Sequence, residues 1–128
     1  MNEFILIGHL QVLDEALSSL YLDTTDGKYY LFVRTYENED APTYVLCEVN
    51  LASIIEYMEG HIGLKQIFSF YNAFYYTHSD TKLNKEALLP ITPSKASKLL
   101  SDDGLEDMFD TQLAYKSVAL KNHIKQLI

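Results

Sequence analysis

The first half of the chain is a series of short runs rich in strand-forming apolar residues, separated by polar turns, which is a strand pattern rather than a helical one. Phe4 to Leu13 reads as a strand. Leu17-Ser18-Ser19-Leu20-Tyr21-Leu22-Asp23 and Tyr29-Tyr30-Leu31-Phe32-Val33-Arg34-Thr35-Tyr36 follow, both rich in strand formers. Thr24-Thr25-Asp26-Gly27-Lys28 lies between them. Asp-Gly tolerates the positive φ of a tight turn, so the two runs are expected to form a hairpin. Glu37-Asn38-Glu39-Asp40-Ala41-Pro42 is a polar loop, and Thr43 to Val49 is the next strand. Short connections between consecutive strands favour an antiparallel meander.

The period then changes. Leu51, Ile54, Ile55 and Met58 share one helical face, Asn50 can cap the helix, and Gly60 suits its left-handed end. Leu64 to Phe68 looks like a further short helical stretch. Ala73 to His78 reads as a strand, with a polar turn around Asp80-Thr81-Lys82, and Leu88-Leu89-Pro90 as an extended piece. Thr92 and Pro93 resemble the N-cap and first position of a helix over Ser94 to Leu100. Asp103-Gly104-Leu105-Glu106 has capping-box spacing. From there Leu105, Phe109, Leu113, Leu120, Ile124 and Leu127 recur at helical spacing, with a gap near Lys116. They predict a last helix reaching about Gln126, with a restart at Asp110. Strands early and helices late indicate a single α+β domain over residues 1–128: a small antiparallel sheet packed by two or three helices, the longest at the C-terminus.

Composition narrows the class. A chain of 128 residues with 48% hydrophobic content can build a core without disulfides or a metal. Its one cysteine, Cys47, excludes an intrachain disulfide and fits a reducing compartment, so a cytoplasmic location is expected. Met1 to His9 lacks a basic start and its apolar run stops after Ile7, unlike a signal peptide. No stretch approaches the ~20 apolar residues of a membrane span.

Charge is unevenly placed. Up to Gly60 there are 11 acids and 2 bases, a net −9; from His61 onward there are 7 acids and 8 bases, a net +1. An acidic half repels phosphate backbones and anionic membranes, so neither nucleic acid nor a membrane is expected as a direct partner. A basic protein partner is favoured, although surface acids also serve colloidal stability alone.

No cofactor, metal or catalytic motif stands out. Cys47 sits in a hydrophobic strand, as a packing residue would. His9, His61, His78 and His123 are scattered, without metal-ligand spacing. Asp102, Asp103, Glu106, Asp107 and Asp110 surround Gly104, but Leu99, Leu100 and Asp110 occupy positions a calcium loop needs otherwise, so helix capping accounts for them. Gly60-His61-Ile62-Gly63 lacks the strand and lysine of a phosphate loop. Ten tyrosines and no tryptophan are the unusual feature. Neighbours in a strand point to opposite faces, so of each pair, Tyr29/Tyr30 and Tyr75/Tyr76, one is expected in the core and the other either at the surface or under a second face that the domain itself covers.

Leu20-Tyr21-Leu22-Asp23, Gly27-Lys28-Tyr29-Tyr30-Leu31, Tyr44-Val45-Leu46-Cys47-Glu48-Val49-Asn50 and Gly60-His61-Ile62-Gly63-Leu64-Lys65-Gln66-Ile67-Phe68 together resemble a group of uncharacterised bacterial domains of unknown function. The resemblance covers roughly the first two-thirds of the chain. It implies a bacterial or phage origin and a compact α+β domain, and it carries over no catalytic residue.

Three functions compete. The first is a non-catalytic protein-binding or regulatory domain of the immunity or inhibitor kind. Its contact would use Asp23, Asp26, Tyr29, Glu37, Glu39 and Asp40, with acids steering a basic partner and tyrosine anchoring it. The second is a small enzyme whose site is assembled from His61 or His78 with tyrosines and carboxylates. The third is a self-associating structural subunit, acidic front against basic back.

Overall fold

The computed structural model describes residues 4–13, 15–35, 43–70, 72–77, 88–102, 115–116 and 118–128. Its strands are β1 (Phe4–Leu13), β2 (Glu15–Asp23), β3 (Lys28–Thr35), β4 (Thr43–Val49), β5 (Ala73–Thr77), β6 (Leu89–Ile91) and β7 (Tyr115–Lys116). The helices are α1 (Leu51–Met58), α2 (Leu64–Phe70), α3 (Pro93–Asp102) and α4 (Val118–Leu127). The strands form one antiparallel sheet in the order β6-β5-β4-β3-β2-β1-β7. Strand order therefore follows chain order from β1 to β6, with α1 and α2 inserted between β4 and β5, and helices pack on the sheet in an α+β fold.

Local chemistry explains the boundaries. Asp23 Oδ1 accepts from the Thr25 N–H at 2.9 Å, and the Asp23 carbonyl accepts from the Gly27 N–H at 2.9 Å. Gly27 takes φ 74°, a conformation that costs a residue with a Cβ, so the turn closes here. Asn50 Oδ1 accepts from the Ser53 N–H at 2.8 Å and caps α1, and Gly60, just past the helix's last turn, takes φ 82° and turns the chain away. Thr92 Oγ1 accepts from the Lys95 N–H at 3.1 Å and starts α3 in the same way.

The two faces of the sheet carry different cores. On one, Leu20, Leu31, Val33, Val45 and Cys47 meet Ile54, Leu64, Ile67 and Phe68 of the first two helices and Ala96, Leu100, Leu120 and Ile124 of the last two. On the other, Tyr30, Phe32, Leu46, Tyr76 and Leu88 are buried, with Phe4, Tyr21, Tyr44 and Phe74 packed against them. Phe4 meets Tyr30 edge-on with ring centroids 5.4 Å apart, Tyr21 lies 4.6 Å from Phe32, and Tyr44 stacks on Tyr76 at 6.2 Å. A single row of threonines, Thr35, Thr43 and Thr77, crosses three strands in register. Thr35 and Thr43 are fully buried, and their hydroxyls share a hydrogen bond of 2.5 Å.

One expected element changes. The helical spacing predicts helix through this stretch, but Tyr115 and Lys116 form a strand that pairs with Val12 and Gln11 of β1. The gap in apolar spacing near Lys116 falls at this break, so the last helix begins at Val118. The capping box at Asp103 and the restart at Asp110 lie outside the described residues. Among the described residues, no helix is long and apolar enough to cross a membrane.

Candidate functional site

The β2–β3 hairpin and the first turn of α1 meet at one end of the sheet because β4 runs into α1 with only Asn50 between them. Register places Tyr29 beside both Leu22 and Val49, so the hairpin lies next to the helix start. Between them is an open depression of about 400 Å³. Tyr29, Val49, Leu51, Ala52 and Ile128 give it an apolar lining, and Lys28, Glu48 and Asn50 supply the polar groups. Its size falls in the ordinary range for ligand sites, but its shape is a surface hollow.

The electrostatics of the rim are mild. Lys28 Nζ lies 3.6 Å from Glu48 Oε2, and both side chains are about half exposed (51% and 42%). A pair so solvated contributes less than about 1 kcal/mol, and either partner can be drawn to an incoming charge at little cost. Asp26 is exposed at the tip, with Oδ1 accepting from the Lys28 N–H at 2.9 Å, which holds its carboxylate beside the hollow's edge. Tyr29 is half-buried and packs against the helix-covered core, leaving the rest of its ring available to the hollow.

The residues singled out from sequence separate into three groups. Asp26 and Tyr29 stand together at the hairpin. Asp23 does not join them on the surface: it is 0% exposed and shapes the turn from inside, so as a partner contact it is corrected to a structural residue. The sequence could not distinguish these roles, since an aspartate before a turn reads alike whether it points out or folds back onto the backbone. Glu37, Glu39 and Asp40 lie outside the described residues, as does His78.

The tyrosine doublets resolve toward coverage of both sheet faces. Tyr30 and Tyr76 are buried, at 3% and 5% exposure, and their neighbours Tyr29 and Tyr75 are half-buried rather than exposed. Both faces of β3 and β4 are covered, which the unbroken runs Tyr29 to Val33 and Tyr44 to Cys47 signal on their own. Burial, and then Tyr44 and Tyr76 nearby, push the Tyr21 phenol above its ordinary range, so it stays a protonated hydrogen-bond donor. Burial, reinforced by Glu48, likewise pushes the Cys47 thiol up, and Cys47 is fully buried. Its thiolate is suppressed, as befits a packing residue. His61 Nδ1 lies 3.0 Å from Glu56 Oε2 on exposed surface at the end of α1. Among the described residues, no group of three His, Cys, Asp or Glu side chains is placed to hold a metal.

Sequence reasoning missed Glu48, Leu51, Ala52 and Ile128. The first three were accessible to it: a hairpin followed by a meander strand fixes Tyr29 near Val49, and the adjacent Asn50 cap puts the helix start beside them. Nothing in the local pattern points to Ile128, which is 71% exposed. Comparison of the chain with protein-family models, curated proteins and solved structures finds no match.

Proposed function

We propose that this chain is a non-catalytic protein-binding or regulatory domain, of the immunity or inhibitor kind, that takes a basic protein partner at the hairpin end of its sheet. The observation that carries the reading is the apolar hollow between the hairpin and α1, with Tyr29 in its wall and Asp26 and Glu48 beside it. An apolar centre with a polar, charged border is how protein interfaces are built, and tyrosine is a frequent anchor within them. The net −9 of the first sixty residues supplies long-range attraction for a basic partner.

Charge would govern the rate of encounter and the hollow the lifetime of the complex. Glu37, Glu39 and Asp40 extend the acidic character of the sequence that follows β3. The test is affinity capture from the source organism at low and moderate salt, with wild type beside Asp26→Lys and Ile128→Asp. Both substituted side chains are exposed, so the fold is retained. One stoichiometric partner, weakened by salt and by both substitutions, supports the reading. A partner held equally well by all three proteins refutes this placement.

A further inference from the structure

We propose that the outer edge of β1 is a self-association surface, at which a second copy of this chain pairs its own β1 antiparallel across a twofold axis near Ile5. Among the described residues, β7 covers this edge only at Gln11 and Val12. Among the described residues, Phe4 to Leu10 has no strand on that side. An open strand edge presents unpaired N–H and C=O groups to any strand that can match them, and proteins ordinarily guard such edges with charge or proline. Phe4 to Leu13 contains neither.

Two of the exposed large hydrophobic side chains lie here, Ile5 at 46% and Leu6 at 43%. They sit on opposite faces of the strand. Both cores also run out to this edge: Ile7 packs into the helix-covered layer and Phe4 into the aromatic one. A register shift follows Leu6, so Phe4–Leu6 is the longest run of regular pairing along β1. A twofold at Ile5 uses that stretch fully: Ile5 meets its own counterpart on one face, and Phe4 meets Leu6 of the other copy on the other face.

The charge pattern selects the occupant. The segment has no charge to complement an acidic or basic strand, whereas an identical copy offers an equally uncharged, equally apolar edge. The contact is short, below the size of a stable interface, so the dimer is weak and reversible. Each copy carries −8, so mutual repulsion opposes pairing and added salt strengthens it. That is the reverse of the salt response expected for a basic partner at the hairpin end.

Sedimentation across a wide concentration range, at low and moderate salt, tests the proposal on wild type and Ile5→Lys, with circular dichroism to confirm that the variant is folded. Wild type should dimerise reversibly, more so with salt, and Ile5→Lys should raise the dissociation constant by about tenfold or more. An Ile5→Cys variant treated with a short thiol cross-linker should give covalent dimer well above an Ala52→Cys control, because Cys47 is buried. A wild type that stays monomeric at millimolar concentration overturns the proposal. So does a dimer indifferent to Ile5→Lys, cross-linking no better than the control, or an edge that binds only a different protein's strand.

Discussion

Gly8 is where α4 rests on β1, and adding one methyl group there tests that packing. A Cβ built at Gly8 would stand 2.8 Å and 2.9 Å from the two terminal methyls of Leu120 and 3.3 Å from its Cγ. Leu120 is itself nearly buried, at 9% exposure, so it has little room to retreat. Overpacking of this kind costs about 1–3 kcal/mol. Alanine recovers about 0.5–1 kcal/mol by narrowing the unfolded ensemble, which leaves Gly8→Ala destabilised by up to roughly 2.5 kcal/mol, with about 1 kcal/mol as the central value. Leu120→Ala alone removes most of a core side chain and should cost about 2–3 kcal/mol, at the low end for such truncations because the residue lies at the core's margin. In the double variant the new methyl enters the space that Leu120 vacates. The two changes should then be non-additive, with a coupling of about 1–2 kcal/mol. Urea unfolding of the four proteins, followed by circular dichroism, measures the cycle. Additivity within about 0.5 kcal/mol would refute the contact, and with it the position of α4 on the sheet.

Other substitutions probe the interior. Thr43→Val strips the buried Thr35 hydroxyl of its 2.5 Å partner and should cost about 1–3 kcal/mol, while Thr35→Val in the same chain should return part of the loss, both read by urea unfolding. Asp23→Ala removes the acceptor that organises the hairpin and should cost a comparable ~1–3 kcal/mol in the same assay. Cys47 should resist a thiol-specific reagent in the folded protein and react stoichiometrically once unfolded. Because folding raises the Cys47 thiol and the Tyr21 phenol, both favour the folded state while protonated. Their contribution is complete at neutral pH and falls as pH rises past the ordinary thiol and phenol ranges, so stability should decline above about pH 9. A flat stability profile from pH 8 to 10.5 would contradict the burial of both groups.

How far the sequence carried the structure depends on the range of the interaction involved. Asn50, Thr92, Gly27 and Gly60 act on their immediate neighbours, and the elements they bound lie where the pattern places them. Short connections account for the antiparallel run from β1 to β4, whereas β5 returns to the sheet after two helices. What escaped were consequences of the second sheet face. For a strand such as β3, apolar at nearly every position, alternation leaves open whether its tyrosines reach the surface or a second covered face. The structure uses them in an interlocked aromatic layer, Phe4 against Tyr30 and Phe32, and Phe32 against Tyr44. Asp23 failed for a related reason: its role depends on whether the turn folds over it, which composition does not encode. The hollow at the hairpin end was half legible, because Asp26 and Tyr29 were identified while Ile128 comes from the far end of the chain.

The central claim is that a basic protein binds at the hairpin end, and amide hydrogen exchange on the complex with its captured partner tests it most directly. The account predicts added protection at Gly27 to Tyr29 and at Glu48 to Ala52, with exchange at β5 and β6 unchanged. Protection confined to other parts of the chain, or none at all in a saturated complex, would contradict it.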